Sequence, residues 1–314
     1  MTWITHPARV FEMATFREVA PNSGVDEKLP SGSSQGIVVP SGGSTLVILQ
    51  DGKGLDVRSS VPSKVDVHEF KTEHERSDAA KNASNPSEAK QRFGDGSWRI
   101  FRIKADKPVG LDKVVVEAKN AKGTAEATLK VLVVEKKTVK VHIRPVHVDN
   151  GKEFVRLGQA ADPKKLLDEM NAIWLPQANV CFELGRTDPA KIAGLSPQTA
   201  TIEMQKLPKG FLDEQDSKLL TFFMVPKVTN GKTHDKGATN AKERVALIAE
   251  SRSDSTMAHE AGHFLGSLSE KGNYSSEYGH PETDKNMLMH EYHVGTKIPY
   301  SAVPNFNYGY RSGN

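Results

Sequence analysis

The stretch Thr256-Met-Ala-His-Glu-Ala-Gly-His-Phe-Leu-Gly266 decides the fold of the second half of this chain. It has the pattern His-Glu-x-x-His-x-x-Gly and directly follows a β-like run, Val245–Ala249. Residues four apart lie on the same face of a helix, so His259 and His263 can bind one ion, with Glu260 beside it. Two imidazole ligands, an open position for water and a carboxylate that takes the water's proton are what a zinc hydrolase needs.

An ordinary amphipathic helix with solvated histidines is the alternative, because so short a pattern also arises by chance. Two features favour the metal site. Glycine accepts positive φ at a helix C-terminus, so Gly266 is predicted to end the helix in a chain reversal. Downstream, Asp284-Lys-Asn-Met-Leu-Met289 is a compact segment of the kind that can form a tight turn beneath a metal. We therefore predict one catalytic zinc ion, Zn2+.

The segment from His259 to Gly266, followed by Asn286-Met-Leu-Met289, resembles the metzincin clan of zinc metallopeptidases. The resemblance covers roughly the C-terminal half of the chain. It implies an active-site helix with two histidine ligands and a general-base glutamate. It also implies a glycine turn, a third ligand after it, and a methionine turn under the metal. Met289 is the favoured methionine of that turn, and Met287 is the second choice.

The third ligand departs from the family pattern, which would place a histidine where this chain has Ser269. The next histidine is His280. An insertion over 268–279 that loops out would return His280 to the ligand position, so His280 is the expected third ligand. Its rivals are four carboxylates: Glu270, Glu277, Glu282 and Asp284. A glutamate ligand would move the protein toward the thermolysin-like class.

The mechanism implied by the resemblance is zinc-assisted hydrolysis of a peptide bond. Zinc lowers the pKa of its water toward about 7 and polarises the substrate carbonyl. Glu260 takes the proton as the water attacks, then delivers it to the departing amine. Tyr292 follows the methionines and can donate a hydrogen bond to the oxyanion, although a core or surface tyrosine fits that position equally well.

The first half of the chain contains no catalytic pattern. Residues 1–44 are predicted to be a flexible N-terminal segment, because proline, serine and glycine recur over 20–44. Short alternating runs separated by turn residues then predict an antiparallel, immunoglobulin-like β-sandwich over 45–136. These runs are Thr45–Leu49, Leu55–Arg58, Lys64–His68, Trp98–Ile103, Lys113–Glu117 and Ala125–Val134. Residues 71–92 are predicted to be a solvated loop, with a helical excursion as the alternative.

The second half, 137–314, is predicted to be a metzincin-like zinc peptidase domain, which makes the chain α+β. Lys137–Val148 opens it as a strand, and a helix follows with Asp162 as N-cap, Pro163 at its first position and Pro176 as its stop. Further strands are predicted at Val180–Leu184, Leu219–Val225 and Val245–Ala249. This order indicates an α/β sandwich with a twisted mixed sheet. In metzincins an edge strand pairs with extended substrate, and Gly237–Asn240 is the candidate here.

Composition excludes several classes of function. The net charge is +3 and the basic residues are scattered, which argues against a nucleic-acid partner. No run approaches the about 18 apolar residues of a membrane span. A single cysteine, Cys181, forms no internal disulfide. The first residues do not resemble a signal peptide, so we expect synthesis in the cytoplasm without one.

These features predict a zinc-dependent endopeptidase that acts on a protein or peptide. A leaderless peptidase fits a bacterial toxin or effector exported by a leaderless secretion route, or an intracellular processing enzyme. A cognate inhibitor or immunity protein and a delivery partner that binds the β-domain are the partners expected in the first setting. The alternative is a non-enzymatic binding protein, in which the β-sandwich acts and the zinc site is structural or silent. The intact Glu260 argues against that alternative, because a structural site needs no general base.

Overall fold

The structure is a computed structural model that describes residues 2–12, 17–19, 25–26, 34–74, 76–77, 86–159, 161–215, 219–229, 234–267, 288–289, 295–296, 298 and 302–307. The protein is mixed α+β and rich in strands, which form several sheets. The chain divides into two compact units. The first consists of Met1–Lys137, Leu175–Asn179 and Pro299–Asn314, and the second of Thr138–Trp174 and Val180–Ile298.

The first unit consists mainly of strands. In chain order they are β1 (Thr2–Glu12), β2 (Arg17–Val19), β3 (Val25–Asp26), β4 (Ser34–Pro40), β5 (Gly43–Gln50), β6 (Asp56–Ser59), β7 (Asp66–Phe70), β8 (Trp98–Ala105), β9 (Val109–Lys119) and β10 (Ala125–Val134), with helix α1 (Pro86–Gly94) between β7 and β8. In the described part of this unit they form two five-stranded sheets, β2-β1-β5-β8-β7 and β3-β4-β10-β9-β6.

The two sheets of the first unit share one hydrophobic core. Along β9, Val114 and Val116 are buried while their immediate neighbours are partly exposed, because successive side chains of a strand point to opposite faces. Val47 of β5 and Ile103 of β8 belong to the same core from the other sheet. The predicted alternating runs correspond to β5 through β10, and β10 has the predicted bounds, Ala125–Val134.

Three features of the first unit differ from the prediction. The stretch predicted to be a flexible segment contains strands, because Ile37, Val38 and Val39 are buried when β4 pairs with β10. That pairing is parallel, so this sheet is mixed rather than antiparallel. Helix α1 overlaps the predicted solvated loop, in agreement with the alternative of a helical excursion, and its Phe93 is only 2% exposed in a cluster with Ile48. In each case tertiary burial outweighs local turn and loop composition.

The second unit contains a larger sheet and most of the helices. Its elements are β11 (Lys137–Asp149), β12 (Phe154–Arg156), α2 (Pro163–Ala178), β13 (Val180–Arg186), β14 (Ala190–Ile192), β15 (Thr201–Glu203), α3 (Lys209–Asp213), β16 (Leu220–Val225), β17 (Lys227–Thr229), β18 (His234–Asp235), β19 (Gly237–Asn240), β20 (Val245–Ala249) and α4 (Thr256–Ser267). Lys137, at the start of β11, and the end of α2 are counted with the first unit.

The main sheet of the second unit has the strand order β12-β11-β16-β20-β19 among the described residues, and β13 and β14 also pair with β11. Strands β11, β16 and β20 are parallel to one another, whereas β19 runs antiparallel to β20 at the edge. The sheet is therefore mixed, as predicted. A short additional sheet, β15-β17-β18, has no counterpart in the prediction.

Helix α2 begins as predicted and ends later than predicted. The Asp162 carboxylate accepts a hydrogen bond from the Lys164 backbone N–H at 2.9 Å, so Asp162 is the N-cap. Pro176 lies inside the helix rather than stopping it. A proline this close to the C-terminus removes one helical hydrogen bond and leaves the preceding turns intact. Asn179, with φ +52°, ends the helix in the left-handed conformation.

The C-terminal segment contains a short helix that is grouped with the first unit. Helix α5 (Val303–Phe306) belongs to the first unit although it lies at the end of the chain. The side-chain amide of Asn307 donates hydrogen bonds to the carbonyl oxygens of Glu135 and Ala178, both at 2.9 Å. These bonds connect the tail with Glu135, which follows β10, and with Ala178, the last residue of α2. No helix among the described residues is long and apolar enough to cross a membrane.

An ion pair between Glu69 and Arg99 is expected to make the stability of the first unit depend on pH. Arg99 donates to both carboxylate oxygens of Glu69, at 2.8 and 2.7 Å, and this holds the pKa of Glu69 below its usual value. Because the folded-state pKa is the lower one, the stabilisation is present above the unfolded-state pKa of about 4.3 and is lost as pH falls through the folded-state pKa. E69Q should lower the free energy of unfolding by about 1–3 kcal/mol near neutral pH.

Urea denaturation of E69Q and of the wild type across the acidic range would measure this effect. The difference between the two proteins should shrink as the pH falls below about 4. D56N is a matched control, because Asp56 and its partner Arg58 are 57% and 78% exposed and such pairs contribute about 0–1 kcal/mol. A difference between E69Q and the wild type that is constant with pH would show that the ion pair does not cause it.

Candidate metal centre

Helix α4 carries the His-Glu-x-x-His motif and follows β20, as predicted. Its first turn is fixed by hydroxyl groups: the Ser253 backbone N–H donates to Thr256 Oγ1 at 3.0 Å. The helix extends to Ser267, so Gly266 lies inside it rather than ending it. His259 is 0% exposed and His263 is 5% exposed. Burial of both imidazoles contradicts the alternative of an amphipathic helix with solvated histidines.

The two histidines face each other through their Nε2 atoms, which are 3.1 Å apart. His259 Nδ1 lies 2.6 Å from the carbonyl oxygen of Leu288, which can only accept a hydrogen bond. Nδ1 of His259 therefore carries the hydrogen, and its Nε2 carries a lone pair in the neutral ring. A ligating histidine commonly donates its other ring N–H to a backbone carbonyl in this way, which fixes the tautomer and the ring orientation.

This geometry fits a shared metal ion. Two nitrogens at the usual zinc distance, in tetrahedral coordination, are separated by about 3.3 Å. The observed separation of 3.1 Å is close to that value. Without an ion, His263 Nε2 donates a hydrogen bond to His259 Nε2. A bound cation would instead accept a lone pair from each of the two nitrogens. His259 and His263 can therefore hold zinc.

The third ligand is not tested by the structure. No group of three or more potential metal ligands occurs within the described ranges. The predicted third ligand His280, its rivals Glu270, Glu277, Glu282 and Asp284, and the predicted oxyanion donor Tyr292 all lie outside those ranges. The predictions for these six residues stay predictions.

The region beneath helix α4 contains the predicted methionine. Leu288 and Met289 lie in a turn and are buried. Met289 packs so closely against Gly262 that a Cβ at position 262 would collide with the methionine sulfur. Trp174 of α2 contacts the same region, and its Nε1–H donates to the carbonyl oxygen of Ala258 at 3.0 Å. Met287 lies outside the described residues.

The Glu260 side chain is 1% exposed and is contacted by the edge strand β19. Thr239 Oγ1 donates to Glu260 Oε2 at 2.7 Å. Burial raises the pKa of the Glu260 carboxyl to about 8; the hydrogen bond from Thr239 opposes this rise, and the nearby charge of Asp235 adds to it. A buried carboxyl group with a strongly perturbed pKa is a typical feature of catalytic sites.

The sequence analysis named Gly237–Asn240 as an edge strand but did not predict that two of its residues contact Glu260. Gly237 and Thr239 are two apart in β19, so they share the strand face that contacts Glu260. A Cβ on Gly237 would lie 2.7 Å from Glu260 Oε1, so a larger residue there would displace the carboxylate. The sequence signal was the Gly-x-Thr spacing in the predicted edge strand, but the face of that strand was not predicted.

The chain matches no model of a known protein family, no curated protein and no solved structure. The chemistry of the site is therefore inferred from its own atoms. These are two imidazole nitrogens that face each other, a buried carboxylate between them in sequence, and the backbone and side-chain groups that fix their orientation.

Proposed function

We propose that this chain is a zinc-dependent endopeptidase with its active site in the second unit. The observation that carries the proposal is the pair of buried Nε2 atoms of His259 and His263, 3.1 Å apart, on the helix that also carries the buried Glu260. His280 is the proposed third ligand. A purely structural metal site does not need the carboxylate, whereas a hydrolase does.

The residues of the chain have separate roles in this proposal. When bound, zinc supplies Lewis acidity toward water and toward a substrate carbonyl. His259 is held in one tautomer by the Leu288 carbonyl, which keeps its Nε2 available as a ligand. Glu260 takes a proton from the attacking water and gives it to the departing amine. A cation held by the two histidines would lower the pKa of Glu260 from about 8, so the base would be ionised near neutral pH. Tyr292 is the proposed hydrogen-bond donor to the oxyanion.

The proposal also assigns a specific fold to each unit of this mixed α+β protein. We propose that the first unit is an immunoglobulin-like sandwich, supported by two five-stranded sheets around a common core. We propose that the second unit is metzincin-like. The support for this is a mixed sheet followed by helix α4, which carries the His-Glu-x-x-His motif. Strand β19, at the edge of that sheet, is the proposed partner of an extended substrate.

The proposed substrate is a protein or peptide. As a toxin or effector, the protein would require an inhibitor in the cell that produces it, and the β-sandwich would bind a delivery partner. As a processing enzyme, it would require neither. The alternative is a non-enzymatic binding protein. In that case the protein would bind zinc without cleaving peptides, and the β-sandwich would carry the binding function.

Metal content and peptide cleavage test this proposal together. Elemental analysis of the wild type after zinc reconstitution should give one zinc per chain, and the zinc-loaded protein should cleave an unfolded protein substrate. H263A should weaken zinc binding by more than the roughly 10- to 100-fold that the loss of an outer-shell partner costs. H280A should weaken it similarly if His280 is the third ligand.

H147Q is the matched control, because His147 is a half-buried histidine on β11 of the same unit and is not part of the site. H147Q should retain zinc and activity. If H280A retains zinc in full, the third ligand is one of the four carboxylates Glu270, Glu277, Glu282 and Asp284. Zinc bound by H263A as tightly as by the wild type would contradict the proposed metal centre.

A further inference from the structure

Strand β19 runs beside helix α4, and two of its residues contact the Glu260 side chain. Thr239 Oγ1 lies 2.7 Å from Glu260 Oε2 and 3.3 Å from the Glu260 carbonyl oxygen. In the ionised form that a general base requires, the carboxylate only accepts hydrogen bonds, so the threonine hydroxyl is the donor. On the same strand face, Gly237 approaches so closely that a Cβ there would lie 2.7 Å from Glu260 Oε1 and 3.0 Å from Cδ.

These contacts limit the orientations that the Glu260 carboxylate can adopt. Gly237 provides the space in which the carboxylate lies, and a larger residue there would displace it. Thr239 provides a directional bond to one defined oxygen, Oε2. Proton transfer requires the base to be held within about 0.5 Å of its productive position by neighbouring groups. Helix α4 alone does not provide this, because a glutamate side chain has several rotatable bonds beyond its backbone.

We propose that Thr239 is a positioning residue: its hydroxyl holds the Glu260 carboxylate, in the space left by Gly237, in the orientation that proton transfer requires. The inference rests on the proposed peptidase function. Thr239 acts through Glu260 and is therefore a positioning residue rather than a catalytic one. Its role is to select one orientation of the base from among those that the side chain can adopt.

The competing explanation is that Thr239 is present because β-branched residues suit strands, with the hydroxyl incidental. Two substitutions separate these explanations. T239V keeps the branched shape and removes the hydroxyl, whereas T239S keeps the hydroxyl and removes the methyl group. T221V is the matched control, because Thr221 is fully buried on β16 and its hydroxyl has no hydrogen-bond partner among the described residues.

The experiment measures kcat, KM and zinc content of the zinc-loaded wild type, T239V, T239S and T221V on one peptide substrate. T239V should lower kcat by about 10- to 100-fold with KM nearly unchanged, because a hydrogen bond to a charged group is lost from the catalytic step. T239S and T221V should retain wild-type kcat, and all four proteins should retain zinc. Crystal structures should show the Glu260 carboxylate displaced or in more than one orientation in T239V, and in its wild-type position in T239S.

Three results would overturn the proposal: wild-type kcat in T239V, a loss in T239S as large as in T239V, or an undisplaced carboxylate in T239V. An inactive wild type would contradict the proposed function alone. The position of the Glu260 carboxylate in crystals of the wild type, T239V and T239S would then still decide whether Thr239 holds it. If T239V does not fold, the same comparison is made with T239A.

Discussion

E260Q is expected to lower kcat by about 10²- to 10⁴-fold, which is the range that general acid–base catalysis supplies. The amide of glutamine has nearly the shape of the carboxylate and can still accept a hydrogen bond from Thr239, but it cannot take a proton from water. Because the site is buried, with Glu260 1% exposed, bulk water does not readily replace the missing base. Zinc content should remain that of the wild type, because the histidines are unchanged.

The measurement compares kcat and zinc content for the wild type, E260Q and a control, E183Q. Glu183 is an exposed glutamate on β13 of the same unit, so E183Q should behave like the wild type. Activity of E260Q close to that of the wild type would disprove the role of Glu260 as general base. Loss of zinc from E260Q would indicate that Glu260 binds the metal rather than the water.

W174A is expected to lower the free energy of unfolding by about 3–5 kcal/mol, the range for removing a large aromatic side chain from a core. Trp174 is 0% exposed, and its indole donates to the Ala258 carbonyl, one residue before the first histidine of the motif. Its ring also contacts Phe182 edge to face, with the ring centroids 6.2 Å apart. The substitution therefore leaves a cavity next to helix α4 and removes one hydrogen bond that supports this helix.

Denaturant unfolding followed by circular dichroism measures this loss. W174F separates the two contributions: it keeps an aromatic ring and loses the hydrogen bond, so it should cost less than W174A. L184A is the control, because Leu184 on β13 is 37% exposed and its truncation should cost less than about 1 kcal/mol. A loss in W174A no larger than in L184A would show that Trp174 does not support the second unit.

The pattern of the sequence predicted about half of the individual elements of this fold. Strand β20 has the predicted bounds Val245–Ala249, and Asp162 caps helix α2 as its side chain predicts. The four-residue spacing of His259 and His263 places them on one helix face, and their Nε2 atoms lie 3.1 Å apart. Periodicity, caps and spacing within a helix depend on residues close together in the chain, and the sequence displays these directly.

Predictions failed where distant residues decide the outcome. Strand β4 lies in a stretch whose turn residues predicted flexibility, and its parallel pairing with β10 supplies the burial that local composition did not reveal. Pro176 was predicted to end α2, but the helix continues to Ala178. The burial of Arg144 was not predicted at all: this residue carries a charge yet is fully buried, because Asp188, Glu214 and nearby carbonyl groups accept its hydrogen bonds. No nearby residue indicated any of these arrangements.

The sequence by itself determined which residues have metal-site chemistry: two histidines and a glutamate at helical spacing. Only the tertiary structure decided how they are held. His259 is held by the Leu288 carbonyl, 29 residues away, and Glu260 by the Thr239 hydroxyl, 21 residues away. Helix α4 is held by the Trp174 indole, which is 84 residues from its acceptor, Ala258. Helical spacing follows from the 3.6-residue repeat of a single element, whereas each of these hydrogen bonds requires two separate elements to pack in one register, and packing depends on the whole core of the unit.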